Sequence, residues 1–448
     1  MSFKDGADRK ELDLRRRTRK LYRILNYNWA IFPCTATIFF LGVYHEVVVP
    51  DARWTPDCTV LAMILGPFLL FQLPPYYTFW GLCLPIRPFA YAQAPKKRLF
   101  RSLKVCLVTK ATNVQTVIHT AQHWNRLSKT RRISFHVVVD SVPNPFKGIL
   151  PDFVELLEVP YSFRPDHARY KARVLEWCRR HWRLSKQDWV LHLDEETEIT
   201  EEVLSASVDF IERGAEDIGM GTIFYNAHNH WRDPLLTVAE ALRVAEDFGR
   251  FQLPVRLLQR PLLGWMHGSF ILINGQAENA VTWDTDCLAE DFWFAYHAAK
   301  KGLKTGWIHA VAREQPPERL ADLVRQRRRW YSGIMSVPDW KVRLALAIPM
   351  LESFVHLGLT IFVACGWRVS LSHHAFVWLT WNLAVHLHGR VVGCVIQDLD
   401  YPGFTVSDLI LHVFLVVVLG PVVDLIQSVA FCLALAWPDR EFAVIKKC

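Results

Sequence analysis

Carboxylates collect at three points along the 448-residue chain where apolar runs stop. Asp140 closes Val137-Val138-Val139, and Asp194, Glu195 and Glu196 follow Trp189-Val190-Leu191 and Leu193. Glu290 and Asp291 open the stretch AEDFWFA. A buried strand that ends abruptly in acids delivers them to the carboxyl edge of a sheet, which in open α/β folds is the edge that binds ligands. Three adjacent carboxylates repel one another, so the cluster at 194–196 calls for a cation. Asp194 and Glu196 are two apart, and on an extended strand end they share a face. Hard oxygen ligands of this kind suit Mg²⁺ or Mn²⁺, usually shared with a substrate's phosphates. Taken alone, the stretch is equally compatible with a solvated turn whose acids cap a helix beginning at Thr200-Glu201-Glu202.

The elements that must position these acids alternate in type. Strands are expected at Lys104–Thr109, Ser134–Asp140, Phe153–Val159, Asp188–Leu193, Ile218–Tyr225, Ser269–Ile273 and Thr305–Val311. Helices are expected at Val114–Leu127, His167–Trp182, Glu201–Arg213, Thr237–Phe248 and Glu290–Lys300. The alternation predicts an α/β domain with a largely parallel, Rossmann-like sheet. No GxGxxG or P-loop follows any strand, so a nucleotide must be held by other means.

Composition adds a membrane. Hydrophobic residues make up 51%, with 18 Trp and 27 Phe. The net charge of +8 is concentrated at Arg15–Arg23 and Arg325–Arg329, beside apolar stretches, which points to anionic headgroups rather than nucleic acid. The 10 Cys lack a CxxC pair and read as reduced apolar residues, not a disulfide framework. Asn28–Val49 and Thr59–Leu84 are expected to cross a hydrocarbon core of roughly 30 Å; the apolar segments Leu344–Trp367, Ala375–Ile396 and Leu409–Trp437 leave the number of C-terminal spans open, since the middle one carries Arg390 and several histidines. The basic N-terminus places the chain start, and the segment after two spans, in the cytoplasm. Glu352 and Asp424 inside apolar runs call for pairing, or for contact with a polar acceptor. Residues 317–335 read as an amphipathic helix lying flat at the interface, with Leu320, Leu323, Val324, Tyr331 and Ile334 on one face. The expected layout is therefore a basic cytoplasmic N-terminus (1–27), two transmembrane helices (28–97), a cytoplasmic domain (98–316), an interfacial helix (317–340) and a C-terminal transmembrane region (341–448).

The order D…LDEET…AED…QRRRW, flanked by spans, resembles the family-2 glycosyltransferases, including the membrane-bound polysaccharide synthases. The phrases LHLDEETEITE, HGSFILI, AEDFWFAYHAAKKGLKTGWI and RQRRRWYSGI are similar to the Egghead-type β-1,4-mannosyltransferases, which transfer mannose from GDP-mannose to a glucosylated lipid. The resemblance implies a GT-A type nucleotide-sugar domain, a hexosyltransferase activity, a nucleotide-sugar donor, a lipid-linked or saccharide acceptor, and an active site on the cytosolic face. The membrane is the endoplasmic reticulum or Golgi in a eukaryote, and the plasma membrane in a bacterium. Two other functions fit some of the same features: a processive polysaccharide synthase using a UDP- or GDP-sugar, and a non-catalytic membrane scaffold or transporter. The intact acids argue against the scaffold.

For transfer from a sugar nucleotide, Asp194 and Glu196 are expected to hold the divalent ion, and Arg329 and Gln326 to offer donors to the pyrophosphate. Asp291 is expected to act as general base toward the acceptor hydroxyl. A single attack opposite the leaving group inverts the anomeric centre. Trp330 offers a flat face to an acceptor sugar, with Glu290 beside it at the acceptor site, although an acid at a helix start more commonly caps or pairs. By the resemblance, Asp140 binds base or ribose beside the strand end Thr109-Lys110. Lys171 has two readings, a pyrophosphate contact or a surface charge on its helix.

Overall fold

The computed structural model describes residues 78–82, 99–140, 144–228, 230–364, 373–401, 403–439 and 441. The expected span Asn28–Val49, and all of Thr59–Leu84 except the short helical stretch 78–82, lie outside the described residues, as do the side chain of Glu352 and the basic N-terminus.

Seven strands form one sheet: β1 (Ser102–Thr109), β2 (Ile133–Val139), β3 (Val154–Glu158), β4 (Asp188–Leu193), β5 (Ile218–Phe224), β6 (Ile271–Asn274) and β7 (Thr305–Arg313), in the order β3-β2-β1-β4-β6-β5-β7. β1 pairs in parallel with β2 on one side and β4 on the other. The chain works outward from β1 to β3 and then returns to β1's opposite side. The carboxyl ends of β1 and β4 therefore flank a topological switch point, where such sheets open a crevice. β6 departs from the largely parallel expectation: it runs antiparallel to both β4 and β5. Its side-chain pattern cannot announce this, because a four-residue strand buried throughout reads as a plain apolar run in either direction.

Every residue of β4 is buried, with Trp189 and Leu193 fully inside. The strand is anchored at its start by Asp188, 2% exposed, whose carboxylate accepts from Arg101 Nε (2.9 Å) and Nη2 (2.5 Å), Ser102 Oγ (2.8 Å), Ser185 N (2.9 Å) and Ser185 Oγ (2.7 Å). The α-helices between β1 and Ser336 are α1 (Val114–His123), α2 (Tyr170–Trp182), α3 (Glu201–Arg213), α4 (Pro234–Glu246), α5 (Gln252–Leu258), α6 (Gly275–Val281), α7 (Glu290–Lys300) and α8 (Leu320–Ser336), and α1, α2, α7 and α8 carry site residues. α3 begins one residue after Thr200, with Glu201 and Glu202 in its first turn, where the helix dipole favours negative charge.

Three long helices follow: α9 (Trp340–Ala364), α10 (His373–Asp400) and α11 (Val406–Ala436). Among the described residues only α11 is long and apolar enough to cross a membrane. The chain's contacts divide into two compact units. One comprises residues 1–87, 237–250 and 339–433, and the other residues 88–236, 251–338 and 434–448. Within the first, Gly393 lets α10 approach the main chain of α4 so closely that an added Cβ would lie 1.8 Å from Ala241 O. Asp424 of α11 pairs with Arg390 of α10, the pairing expected for an acid in an apolar run.

Asp188→Asn should lower stability by about 2 kcal/mol, because it weakens the ion pair and turns one of the two oxygens that together accept from five donors into a donor. Burial pushes the Asp188 pKa up, but the Arg101 and serine donors overcome it and hold it at about 2. A carboxylate depressed in the fold stabilises above its ordinary value, so the contribution is present at neutral pH and is lost as pH falls from about 4 toward 2. Thermal unfolding of wild type and variant across that range measures both effects; a variant with wild-type unfolding temperature at neutral pH contradicts this anchoring.

Candidate functional site

β4 ends at Leu193, and the chain turns at once: Thr197 N donates to Asp194 O (3.1 Å), closing a tight turn over Asp194–Thr197. The pair Asp194 and Glu196 therefore does not share a face by strand alternation, as expected; the turn brings both carboxylates within electrostatic reach of Arg329. Side chains from four elements fix the turn. Thr109 Oγ1, at the end of β1, donates to Glu195 Oε2 (2.8 Å), and Asn113 Nδ2 donates to Glu195 Oε1. Thr120 Oγ1 of α1 donates to Glu195 O (2.9 Å). Asp194 N donates to Ser269 Oγ (3.0 Å), which meets Thr197 Oγ1 (2.6 Å), and Thr197 donates in turn to Glu314 Oε1 (2.7 Å). Glu195 is thus a structural acceptor, and Thr109 holds it in place.

The half-buried Asp194 accepts from Lys171 Nζ through Oδ1 (2.5 Å), and the same ammonium donates to Gly268 O (2.8 Å) and lies 3.2 Å from Glu290 Oε1. Burial alone would lower the Lys171 pKa, but Asp194 and Glu290 raise it above the ordinary lysine value, so the cation is permanent. Of its two readings, the surface charge is excluded: the Lys171 side chain is 15% exposed. Asp291 follows Glu290 in the first turn of α7, and its Oδ1 accepts from Phe292 N (2.8 Å). Desolvation, then the Glu290 charge, push the Asp291 pKa up to about 6, with Lys171 opposing.

These groups converge on bare backbone. A Cβ placed on Gly268 would stand 3.0 Å from Asp291 Oδ2, 3.6 Å from Lys171 Nζ and 3.7 Å from Asp194 Oδ2. The missing side chain leaves a cradle lined by two carboxylates and an ammonium. Arg329 of α8 completes its electrostatics. Burial lowers the guanidinium pKa, while Glu290, Asp194, Asp291 and Glu196 push it back up.

α8 reaches the site through a close contact at Gly333, where a Cβ would lie 2.5 Å from Ala289 N. Cys287 Sγ donates to Gly333 O (3.3 Å) at the same crossing. The apolar face expected to lie on lipid is turned inward instead: Leu323, Tyr331 and Ile334 are buried, and Leu320 alone of that set is largely exposed. Gln326 Oε1 accepts from Arg327 Nη1 (2.9 Å), and the Arg327 guanidinium lies 4.4 Å from the centre of the Trp330 ring. Trp330 is half-buried.

At the other end of the crevice, Asp140 N donates to Thr109 O (3.0 Å), and the Asp140 carboxylate pairs with Arg173 of α2. Arg173 also donates to Pro160 O (2.8 Å) and Phe163 O (3.0 Å). Lys110 is exposed, its ammonium 5.8 Å from the Tyr170 ring centre. The sequence reading missed Arg173, Asn113, Ser269 and Glu314. Arg173 had a signal, since it stands two residues after Lys171 on the same expected helix; Ser269 had one in HGSFILI.

A family model described as glycosyl transferase family group 2 matches residues 189–437. The β-1,4-mannosyltransferase egh of Drosophila melanogaster is 28% identical over 377 residues, spanning 79% of this chain and 74% of the fly protein. The β-1,4-mannosyltransferase bre-3 of Caenorhabditis elegans is 33% identical over 322 residues, spanning 66% of this chain and 68% of the worm protein. Among solved structures, a mannosyltransferase from Pyrobaculum calidifontis in complex with GDP-Man and Mn²⁺ is similar with a TM-score of 0.44 at 14% identity, covering 74% of this chain and 97% of that one. Gly268→Val should cut turnover by about a hundredfold, because its methyl groups would push Asp291 and Asp194 apart and sub-ångström placement of reacting groups matters that much. Assay of the purified variant beside its unfolding temperature checks this: unchanged turnover contradicts the convergence on Gly268.

Proposed function

This chain belongs to glycosyl transferase family group 2, and from that premise we propose that it is a membrane-embedded, inverting mannosyltransferase that moves mannose from GDP-mannose onto a glycolipid acceptor. The carrying observation is that Asp291, Asp194 and Lys171, from three elements, meet at the bare Gly268 backbone. An acceptor hydroxyl and a sugar nucleotide's phosphates need opposite things, a proton acceptor and positive charge. The cradle offers both within a few ångströms.

In this reading Asp291 takes the acceptor's proton. A pKa of about 6 leaves it ionised at neutral pH yet more basic than an exposed aspartate. Attack comes from the face opposite the leaving pyrophosphate, so an α-linked donor yields a β-glycoside. Lys171 and Arg329 supply fixed positive charge to the phosphates, and Arg329's planar fork suits their oxygens. The Asp194 Oδ2 atom turned toward the cradle, with Glu196 on the same turn, forms a hard oxygen donor set that fits Mg²⁺ or Mn²⁺. When bound, the ion supplies counter-charge to the departing pyrophosphate. Asp140, braced by Arg173, and the Thr109-Lys110 strand end are assigned to the nucleoside. Gln326 is assigned to the phosphates, and Trp330 and Glu290 to the acceptor.

The donor and acceptor rest on the relatives' names and on the phrases shared with the Egghead-type enzymes. The membrane setting is supported by α11, whose Val406, Ile410, Phe414 and Val418 are more than half exposed although apolar. A soluble protein rarely leaves such a face bare. Residues 98–316 are proposed as the cytosolic transfer domain, with α8 carrying QRRRW at its edge, and the enzyme as resident in the endoplasmic reticulum or Golgi.

Purified protein supplied with radiolabelled GDP-mannose or UDP-sugars and a lipid extract should move label into the organic phase from GDP-mannose alone, in a β-mannosidase-sensitive product. Label from a UDP-sugar, or in a water-soluble polymer, overturns the assignment. Asp291→Asn should lower kcat by about a thousandfold with donor affinity nearly unchanged. Stripping divalent ions with a chelator should stop transfer, and Mn²⁺ or Mg²⁺ should restore it; full activity in chelator refutes the metal assignment.

A further inference from the structure

A second cluster of ligating groups, which the reaction just proposed does not use, adjoins the Asp194–Thr197 turn. His119 projects from α1, Glu198 follows the turn, and His228 stands four residues beyond β5. These stretches are distant in sequence, yet one ligand atom from each lies within 4.8 Å of the others. His228 Nε2 is 2.9 Å and His119 Nε2 3.5 Å from Glu198 Oε1, and the two imidazoles meet edge to face with centres 5.2 Å apart. We propose that His119, Glu198 and His228 form a binding site for a divalent transition-metal ion of the zinc type, separate from any ion shared with the donor phosphates.

The ligand set distinguishes the two. Two imidazoles and one carboxylate suit Zn²⁺ and Co²⁺, whereas the all-oxygen set of Asp194 and Glu196 suits Mg²⁺ or Mn²⁺. Glu198 is fixed in advance, since its main chain pairs in both directions with Arg313 of β7 (2.8 and 3.0 Å). The His119 and His228 side chains are 58% and 42% exposed, which leaves a fourth position open to water. Open sites with three protein ligands are the pattern of exchangeable or catalytic zinc rather than of closed structural zinc. His123, one turn further along α1, lies within electrostatic reach of Glu198 and His119, and Arg126 and Arg313 lie within reach of His123.

Occupancy has a direct mechanical consequence. Thr120, beside His119, already bonds to Glu195 O. An ion on His119 and Glu198 closes a second link between α1 and the same turn, while His228 adds the segment after β5. The turn that carries Asp194 is then clamped at both ends.

The full-length protein in detergent, stripped of metal and titrated with Co²⁺ alone in excess Mg²⁺, should take up one cobalt per chain with a visible ligand-field band. His119→Ala and His228→Ala should each weaken that binding by about tenfold or more, and Asp194→Asn should leave the band intact. Each variant loses its contact to Glu198 with or without metal, so the thermal readout is the increment that Co²⁺ adds: it should raise the unfolding temperature of wild type and not of the variants. Wild-type cobalt affinity and spectrum in the histidine variants, absence of a visible band, or loss of the band in Asp194→Asn alone would each overturn the site. The readout is metal binding, so it stands or falls independently of which sugar the enzyme transfers.

Discussion

The site depends on one interaction: the Lys171 ammonium held between Asp194 and Glu290. Four carboxylates, Asp194, Glu196, Glu290 and Asp291, crowd the end of one strand and the start of one helix, largely out of water. Their mutual repulsion calls for buried positive charge, and Lys171 and Arg329 supply it. At Asp291, desolvation first and then the Glu290 charge raise the carboxylate's basicity.

The scaffold explains why these groups can be so close. β1 and β4 present their carboxyl ends side by side at the switch point of the sheet. α2 crosses beneath with Lys171 and Arg173, one aimed at each side of the crevice. α7 and α8 are locked at Gly333 and Cys287, which sets Arg329 against the acids opening α7. Gly268 then keeps the centre empty. Lys171, Asp194 and the acids of α7 sit at element ends, Arg329 within α8 and Gly268 just before β6, an arrangement that fixes the charges in advance.

Much of this was legible in the sequence because burial writes itself into hydrophobic pattern. The strands ending at Asp140 and Leu193 and the helix starting at Glu290 fell within a residue of their expected bounds, since apolar runs and adjacent acids mark where a chain leaves the core. The family was legible from the order of the acidic motifs and QRRRW. Three things were not. The turn after Leu193 is set by Thr197 and by tertiary donors such as Ser269, which leave no periodic trace. The antiparallel course of β6 is decided by what lies either side of it. The apolar stripe of α8 looks the same whether it packs on protein or on lipid, and here Leu323, Tyr331 and Ile334 meet protein. The His119, Glu198 and His228 cluster was invisible for the same reason, as its members approach only through the sheet's topology.

The most direct test of the central idea, that the acids at the end of β4 serve to hold a cation against a sugar nucleotide's phosphates, is a manganese-edge anomalous map of crystals grown with GDP-mannose and Mn²⁺. The account predicts a peak at inner-sphere distance, about 2.2 Å, from a carboxylate oxygen of Asp194 or Glu196, bridged to the pyrophosphate. A bound donor whose phosphates lie away from that turn, with no manganese on either residue, would contradict it.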